Sequence, residues 1–499
     1  MRAVIFGAGR VGTDFFQEIK DREEVISFID NDINKHGKEI CGITIRSIQE
    51  LNALRYDVIY IACLNNYREI KDQLTEYGIN PAVISLRPVE KMNNEIESKK
   101  IINSLYSYHE TYYEIEYEKK WKEIKAKYGK IALHELRVDT IGETIIRFLL
   151  STNHRKQDHN LHVFIPEVTN ACRICNKYIL NLYEREIYIV REKETAFWAY
   201  VLRKHLEEVD ISEYYKLTTR HEYPVYKVDS KNCAYGFNDD EIERGKDFCK
   251  KINIDRPFVC ITARTPAYNK NTIGYEYDYD YRNMEFSDYE MAIRFLQQQD
   301  LLAVKMGRTE EPIEKIDNCI DYAGLYANDF MDLYLSSKCE FFIANTTGSL
   351  YMAFLFGRPV LTVNRVPISL GCGGCPYTED SLFIPKKYYD ENHKRYLSLR
   401  EIIKVESQCL IWGKRYREMG IRFVDNTPEE IAEAVKEMVE RLNGTWQDTL
   451  EDRQNYEKYL AIYQEMEITA LNNPDNWIGG PEPTRISAAY LRENLYLLE

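Results

Sequence analysis

The stretch FMDLYLSSKCEFFIANTTGSLYMAFLFGRPVLTVNRVP, residues 330–367, contains the alternation that decides the fold. A helical pattern over Asp329–Ser336 leads into an apolar run at Glu340–Ala344 that has the length of a buried strand. A second helical pattern, Ser349–Phe356, separates this run from another strand-like run at Val360–Val363. Because strands that alternate with helices form βαβ units, the segment predicts a parallel α/β sheet.

The same alternation extends on both sides, from residue 256 to residue 385. Further strands are predicted at Phe258–Thr262, Leu301–Met306 and Leu382–Ile384, and further helices at Ser287–Gln299 and Pro312–Asn318. In an open parallel sheet the ligand binds beyond the carboxyl ends of the strands. The loops at that edge are therefore the place to look for a functional site.

Cations, hydroxyls and amides occupy four of these loops. The residues predicted to bind a phosphate-containing ligand, later called the donor, are Arg264, Lys305, Arg308, Thr346, Thr347, Gly348, Ser349 and Asn364. Guanidinium, hydroxyl and backbone N–H groups bind phosphate, and when preorganised they stabilise a pyrophosphate leaving group without a metal. The alternative is that Thr346, Thr347 and Ser349 only cap a helix and that the cations are exposed.

A glycine-rich turn, GAGRVG at residues 7–12, follows the strand-like run Ala3–Phe6 and precedes a helical pattern. A second strand ends at Asp30, eighteen residues after Gly12. This is the dinucleotide fingerprint, in which glycines let the backbone approach a pyrophosphate and the acid accepts ribose hydroxyls. The candidate nucleotide-binding residues are Gly7, Gly9, Arg10, Val11, Gly12 and Asp30. A nucleotide or NAD(P) is the expected ligand; the alternative is a tight turn with an empty site.

Motifs along residues 130–499 resemble a family of bacterial glycosyltransferases from surface-polysaccharide and flagellar-glycan gene clusters. They are DYRN (280–283), MGR (306–308), IDYA (320–323), the stretch 330–367, NTPEEI (426–431), RLNGTW (441–446) and RISAAYLREN (485–494). The resemblance implies a GT-B fold, with two Rossmann-like domains facing across a cleft, and a nucleotide-sugar donor. It does not imply a particular sugar.

A second resemblance concerns the start of this region. The strand Lys130–Leu136, the Ile-Gly-acid loop after it and the helix that follows resemble the opening of heptosyltransferase-type GT-B enzymes, where an acid after the glycine lies at the acceptor site. This resemblance makes Glu143 the candidate general base, which an inverting transfer needs to deprotonate the acceptor hydroxyl. Asp139 is the second candidate. The alternative for Glu143 is an acid that stabilises a helix N-terminus. Many members of the family have Gly-His where this chain has Gly142-Glu143, so the identity of the base stays open.

The predicted organisation is α/β throughout, with an N-terminal Rossmann-like domain followed by the GT-B pair. The N-terminal part of the chain, with GAGRVG (7–12), FIDND (28–32) and GKEICG (37–42), resembles the small Rossmann domains fused to bacterial polysaccharide-biosynthesis enzymes. The expected segments are a nucleotide-binding domain at 1–90, a helical linker at 91–128, an acceptor half at 129–230, a donor half at 231–450 and C-terminal helices at 451–499 that pack back on the first half.

Composition restricts the partners. A formal net charge of −14 argues against nucleic acid, and the 499 residues contain no apolar run long enough to span a membrane. The chain opens on a strand pattern and not on a signal segment, so we expect a cytoplasmic location, with peripheral contact to the inner membrane and oligomerisation both open. No metal is expected.

These observations predict a glycosyltransferase that moves a sugar from a nucleotide-sugar to a glycan, a lipid-linked acceptor or a protein. Two alternatives stay open. One is an oxidoreductase that modifies nucleotide-sugars and uses NAD(P) at the turn Gly7–Gly12. The other is a non-catalytic module that binds nucleotide-sugars.

Overall fold

The computed structural model describes residues 2–62, 70, 73–75, 77–79, 84–86, 114–138, 140–142, 144–145, 161–167, 174–185, 187–191, 194–210, 235–265, 280–307, 313–368, 378–409, 413–472 and 484–499. The chain divides into two compact units, Met1–Asn103 and Ser104–Glu499. Each unit is built around parallel sheet, which confirms the α/β class.

The first unit is one six-stranded sheet. Its elements are β1 (Arg2–Phe6), α1 (Arg10–Ile19), β2 (Glu24–Ile29), β3 (Glu39–Ile40), β4 (Ile43–Arg46), β5 (Val58–Ile61) and β6 (Ile84–Leu86). The strand order is β3-β4-β2-β1-β5-β6, and every pair except β3–β4 is parallel. Alternate residues of β1 enter opposite cores, since Ala3 and Ile5 lie on one face and Val4 and Phe6 on the other. The order with β1 central is the one found in doubly wound dinucleotide-binding sheets.

The second unit begins with a small parallel sheet, ordered β7-β8-β9. Its elements are α2 (Glu114–Tyr128), β7 (Ile131–Arg137), β8 (Leu161–Glu167), α3 (Lys177–Tyr183), β9 (Tyr188–Ile189), α4 (Thr195–Lys204) and α5 (Asp239–Lys251). Helices α2 and α4 pack through their tryptophans, because the rings of Trp121 and Trp198 meet edge to face at 6.5 Å.

A seven-stranded parallel sheet follows, ordered β12-β11-β10-β13-β14-β15-β19. The elements of this region are β10 (Phe258–Thr262), α6 (Glu290–Gln298), β11 (Leu302–Lys305), β12 (Cys319–Ile320), α7 (Tyr322–Leu325), α8 (Asp329–Lys338), β13 (Phe342–Ala344), α9 (Leu350–Leu355), β14 (Val360–Arg365), β15 (Leu382–Pro385), β16 (Lys387–Asp390), β17 (Arg395–Tyr396), α10 (Leu399–Cys409), α11 (Gly413–Glu418), β18 (Ile421–Val424), α12 (Pro428–Leu442), α13 (Leu450–Asn472), β19 (Arg485–Ile486) and α14 (Ala488–Glu493). Strands β16, β17 and β18 form a separate antiparallel sheet.

The five strands predicted between residues 256 and 385 are confirmed as β10, β11, β13, β14 and β15. The helix predicted over Pro312–Asn318 is wrong, because residues 313–318 are not helical and lead into β12. The backbone N–H of Ile313 donates to the carboxylate of Asp321 at 2.9 Å, and Asn318, the residue before β12, has a left-handed φ of 62°.

The two sheets of the second unit share a core. Leu136 and Phe164 of the small sheet belong to the same buried cluster as Cys260 and Phe342 of the large sheet. The opposite face of the large sheet is covered mainly by α6 and α12, whose Ile293 and Met438 are fully buried. Within the described parts of the chain, no helix combines the length and the apolar character needed to cross a membrane.

Candidate functional site

The carboxyl ends of β10 and β13 are joined by the side chain of Asn345. Its Oδ1 accepts from the backbone N–H of Arg264 at 2.9 Å, and its Nδ2 donates to the carbonyl of Arg282 at 2.7 Å. Asn345 is fully buried and Arg264 is only 6% exposed. The loops after these strands and the short 3₁₀ turn at Asp280–Arg282 therefore form one hydrogen-bonded rim, which we call the donor rim.

Two arginines lie in the donor rim. The Arg264 guanidinium donates through Nη1 to Oδ1 of Asn283 at 2.5 Å, and Nη2 of Arg282 donates to the carbonyl of Thr346 at 3.0 Å. In these contacts both guanidinium groups donate to uncharged acceptors. Such groups are suited to binding phosphate oxygens.

A buried lysine closes the rim beyond β15. Lys386 donates through Nζ to Oδ1 of Asp425 at 2.6 Å and to the carbonyl of Asn283 at 3.1 Å. Burial lowers the pKa of the Lys386 ammonium below its usual value, although Asp425 attracts the proton. Sequence reasoning did not select Arg282, Asn283 or Lys386. For Arg282 and Asn283 the sequence signal is the DYRN motif, which does not indicate what these residues do.

The loop 345–349 does not act as a simple helix cap. Oγ1 of Thr346 accepts from the backbone N–H of Val366 at 3.0 Å, which joins the loops after β13 and β14. Ser349 precedes α9, but its side chain makes no capping hydrogen bond. Thr347 and Gly348 lie between them, partly buried. The capping alternative does not account for these hydroxyls.

Lys305 and Asn364 are at the predicted edge but have internal partners. Nζ of Lys305 lies 3.0 Å from Oδ1 of Asp321, and both side chains are buried. Asn364 and Asn426 exchange two hydrogen bonds, at 2.7 and 2.6 Å, between backbone N–H and side-chain oxygen. The Lys305 charge is thus neutralised, and Asn364 links β14 to the second residue after β18. Arg308 lies outside the described residues.

Asp139 and Glu143 also lie outside the described residues, but their neighbour Gly142 is described. A Cβ built on Gly142 would lie 3.0 Å from Cα of Gly348 and 3.2 Å from Cδ2 of Tyr351. The backbones of the loop after β7 and the loop after β13 therefore touch. The segment that contains both candidate bases adjoins the donor rim.

Three buried hydroxyls in the segments that meet at the contact of Gly142 with Gly348 have no hydrogen-bond partner among the described residues. We call this contact region the seam. Thr140 Oγ1, Thr262 Oγ1 and Ser349 Oγ make no hydrogen bond within the described chain. Thr140 is two residues from Gly142, Thr262 ends β10, and Ser349 follows Gly348. Because buried polar groups in folded proteins are normally satisfied, these three hydroxyls are suited to hydrogen-bond a polar ligand bound at this seam.

The glycine turn of the first unit has the geometry that its sequence predicts. Gly7 has a φ of 115°, and a Cβ on Gly12 would lie 1.8 Å from the carbonyl oxygen of Gly7. Gly7 needs glycine for its positive φ. Gly12 needs glycine because α1 packs directly on the end of β1. Among the described residues nothing lies within 4 Å of a Cβ built on Gly9, so the described contacts of this unit do not require that glycine.

Asp30 is bonded to the same turn. Its Oδ2 accepts from the backbone N–H of Ala8 at 2.8 Å and from Nζ of Lys35 at 2.9 Å. Partial burial opposes the charge, but the hydrogen bonds from Lys35, Asp32 and Ala8 outweigh it and lower the pKa of the Asp30 carboxyl. The carboxylate is therefore ionised and held beside the turn. The side chains of Arg10 and Val11 lie outside what the structure describes.

The described residues contain no group of three or more His, Cys, Asp or Glu side chains that could hold a metal ion. This finding covers only those residues and does not test the expectation of a metal-free reaction.

The family model with the description "C2185-like, N-terminal" matches residues 1–85. A search of curated proteins finds no match. Among solved structures, the iron-containing dodecameric glycosyltransferase TibC from enterotoxigenic E. coli is 11% identical with a TM-score of 0.32, covering 63% of this chain and 77% of that chain. The E. coli ADP-heptose lps heptosyltransferase II is 10% identical with a TM-score of 0.30, covering 89% and 98%.

The UDP-GlcNAc 2-epimerase from Neisseria meningitidis, bound to UDP-GlcNAc, is 13% identical with a TM-score of 0.22, covering 89% of this chain and 100% of that chain. Likeness of this degree does not distinguish a transferase from an epimerase. The functional conclusion therefore depends on the residues of the donor rim.

Proposed function

We propose that the chain is a GT-B glycosyltransferase that transfers a sugar from a nucleotide-sugar to a glycan, a lipid-linked acceptor or a protein. The observation that carries this proposal is the contact of Gly142 with Gly348, because it joins the loop of candidate bases to the donor rim. A transferase needs both groups at one seam: donors for a departing diphosphate and a base for the acceptor.

The donor rim supplies the first group. As the bond to the anomeric carbon breaks, negative charge grows on the diphosphate, and fixed donors stabilise it without reorganising. Arg264 and Arg282 are the cations for this role, and the unsatisfied hydroxyls of Ser349 and Thr262 supply further hydrogen bonds. A metal is not required for this stabilisation, since the rim already contains positive charge.

The loop after β7 supplies the second group. Glu143 is the proposed base and Asp139 the second candidate; either would accept the proton of the acceptor hydroxyl as it attacks the anomeric carbon from the side opposite the diphosphate. Such an attack inverts the anomeric centre. Removal of the base is expected to reduce turnover by roughly 10²–10⁴-fold with little effect on donor binding.

The test uses the full chain and a panel of nucleotide-sugars, screened first by thermal shift because a ligand that binds the folded state raises the melting temperature. Turnover of the stabilising donor is then compared for wild type, Glu143→Gln and Asp139→Asn. The matched control is Glu429→Gln, an exposed acid in the first turn of α12. Wild-type turnover in both Glu143→Gln and Asp139→Asn would refute the proposed base.

A second candidate function belongs to the first unit, and the tight packing of Gly12 on Gly7 with Asp30 alongside favours it. In that case the turn binds a nucleotide or NAD(P), and the enzyme oxidises or reduces a nucleotide-sugar. A change in nicotinamide absorbance on addition of a nucleotide-sugar would support it. Donor binding with neither transfer nor hydrolysis would instead indicate a non-catalytic binding module.

A further inference from the structure

We infer that Asn283 is a positioning residue, which orients the guanidinium of Arg264 toward the diphosphate. The inference rests on the proposed function, since it concerns the donor rim. It assigns a role to a residue of the DYRN motif that neither the sequence nor the comparisons explain.

Asn283 is fixed from three directions. Its backbone N–H donates to the carbonyl of Asp280 at 2.9 Å, and its Nδ2 donates to Oδ1 of Asp280 at 3.1 Å. Its carbonyl accepts from Nζ of Lys386 at 3.1 Å. With Nδ2 used as a donor to a carboxylate, the amide has one orientation, and Oδ1 is left to face Arg264.

The backbone of Arg264 is also held by two hydrogen bonds. Its N–H donates to Asn345, and its carbonyl accepts from the N–H of Met284 at 3.1 Å. A long arginine side chain loses much rotamer freedom when it binds a ligand, so a group that holds it in advance improves affinity. The bond from Nη1 to Oδ1 of Asn283 does this at the far end of the side chain.

The amide is also the right chemical group for the task. An aspartate at position 283 would hold the guanidinium equally well, but its negative charge would oppose the binding of a phosphate. The neighbouring loop shows that alternative, because Lys305 is neutralised by the carboxylate of Asp321. Asn283 thus orients a cation without cancelling its charge.

The chain offers a matched control. Asn318 accepts from Nη2 of Arg256 at 2.7 Å through its own Oδ1, and Arg256 lies just before β10, whereas Arg264 lies just after it. The two pairs therefore share the same arginine-to-asparagine hydrogen bond at opposite ends of one strand, although Arg256 also lies near the carboxylates of Asp255 and Asp300. Only the pair at the carboxyl end belongs to the donor rim.

The experiment measures the affinity of the full chain for inorganic pyrophosphate by calorimetry, for wild type, Arg264→Gln, Asn283→Asp and Asn318→Asp. We expect Asn283→Asp to weaken binding about tenfold or more, and Asn318→Asp to leave it within about twofold. Each aspartate variant keeps an oxygen for its arginine but loses the Nδ2 donor, which bonds Oδ1 of Asp280 in one case and the carbonyl of Leu301 in the other. We therefore expect both variants to lower the melting temperature, and binding is measured below the melting range of both.

Wild-type affinity in Asn283→Asp, combined with a loss in Arg264→Gln, would overturn the positioning role and leave the diphosphate site standing. A fall in melting temperature that is much larger in Asn283→Asp than in Asn318→Asp and accounts for the loss of binding would also overturn it, because the residue would then be structural. Absence of pyrophosphate binding in wild type, or unchanged binding in Arg264→Gln, would overturn the diphosphate site and the inference with it.

Discussion

Two glycines of the turn in the first unit give opposite predictions when each is replaced by alanine. At Gly12 the new Cβ would lie 1.8 Å from the carbonyl oxygen of Gly7, well inside any contact that real atoms make. At Gly9 the new Cβ would have no neighbour within 4 Å in the described part of the unit, and the backbone φ of −109° is ordinary for any residue. The same sequence motif thus contains one glycine that packing requires and one that it does not.

The magnitudes decide the sign at Gly12. The residue lies in α1, where alanine is favoured over glycine by about 1 kcal/mol. The overlap with a backbone oxygen forces α1 away from β1; overpacking typically costs about 1–3 kcal/mol, and a 1.8 Å approach to a backbone atom belongs at the upper end. We therefore expect Gly12→Ala to destabilise the unit by about 2 kcal/mol, and Gly9→Ala, which alters only the residue before the helix, by about 1 kcal/mol or less.

The assay is thermal unfolding of the full chain together with hydrogen exchange of peptides that cover β1 and α1. Gly12→Ala should lower the melting temperature of the first unit and increase hydrogen exchange in those peptides. Gly9→Ala should do neither, yet weaken nucleotide binding if a pyrophosphate approaches the backbone there. Equal stability of Gly12→Ala and wild type would refute the packing described for α1 and β1.

Other predictions concern the second unit. Gly245→Ala should lower stability despite the gain in helix propensity, because the Cβ would lie 2.2 Å from Cζ of Tyr334. Lys246→Ala is the control, and a raised melting temperature in Gly245→Ala would contradict the packing. Asp452→Asn should remove about 2 kcal/mol near pH 6, since the hydrogen bond from Arg492 lowers the pKa of this buried carboxyl from 3.8 to about 2. The stabilisation is present above pH 3.8 and declines toward pH 2, so in urea titrations the variant and wild type should converge in acid.

Much of the fold could be predicted because its signals are local. The strand Phe258–Thr262 is apolar up to its last residue and appears with the predicted bounds. Helix α12 starts where Thr427 and Glu430 form a capping box, a signal that spans four residues. The wrong helix at 312–318 shows the limit, since the bond from the Ile313 N–H to Asp321 joins residues eight positions apart and leaves no mark in the local pattern.

The donor rim could be predicted only in part. Parallel topology puts the loops after β10 and β13 at one edge, so Arg264 and Thr346 were accessible to sequence reasoning. Asn283 was not, because its bond to Arg264 joins residues that no strand periodicity relates. Lys305 looked equivalent to Arg264 from its position, and only the carboxylate of Asp321 distinguishes them.

The C-terminal motifs of the resemblance have structural partners. Glu437 of α12 is fully buried and accepts from Oγ of Ser487 at 2.6 Å and from the backbone N–H of Ala489 at 2.9 Å. Asp448 bridges Arg441 and Arg485 at 2.6 and 2.7 Å. These contacts fasten the end of the chain to α12, so the motifs RLNGTW and RISAAYLREN stabilise the large sheet.

The most direct test is a crystal structure of the full chain with the nucleotide-sugar that gives the largest thermal shift. We predict that both phosphates lie within hydrogen-bond distance of Arg264 and the loop 346–349, with the sugar directed toward residues 139–143. Phosphates bound only at the turn 7–12, or anywhere away from the seam of Gly142 and Gly348, would contradict the account.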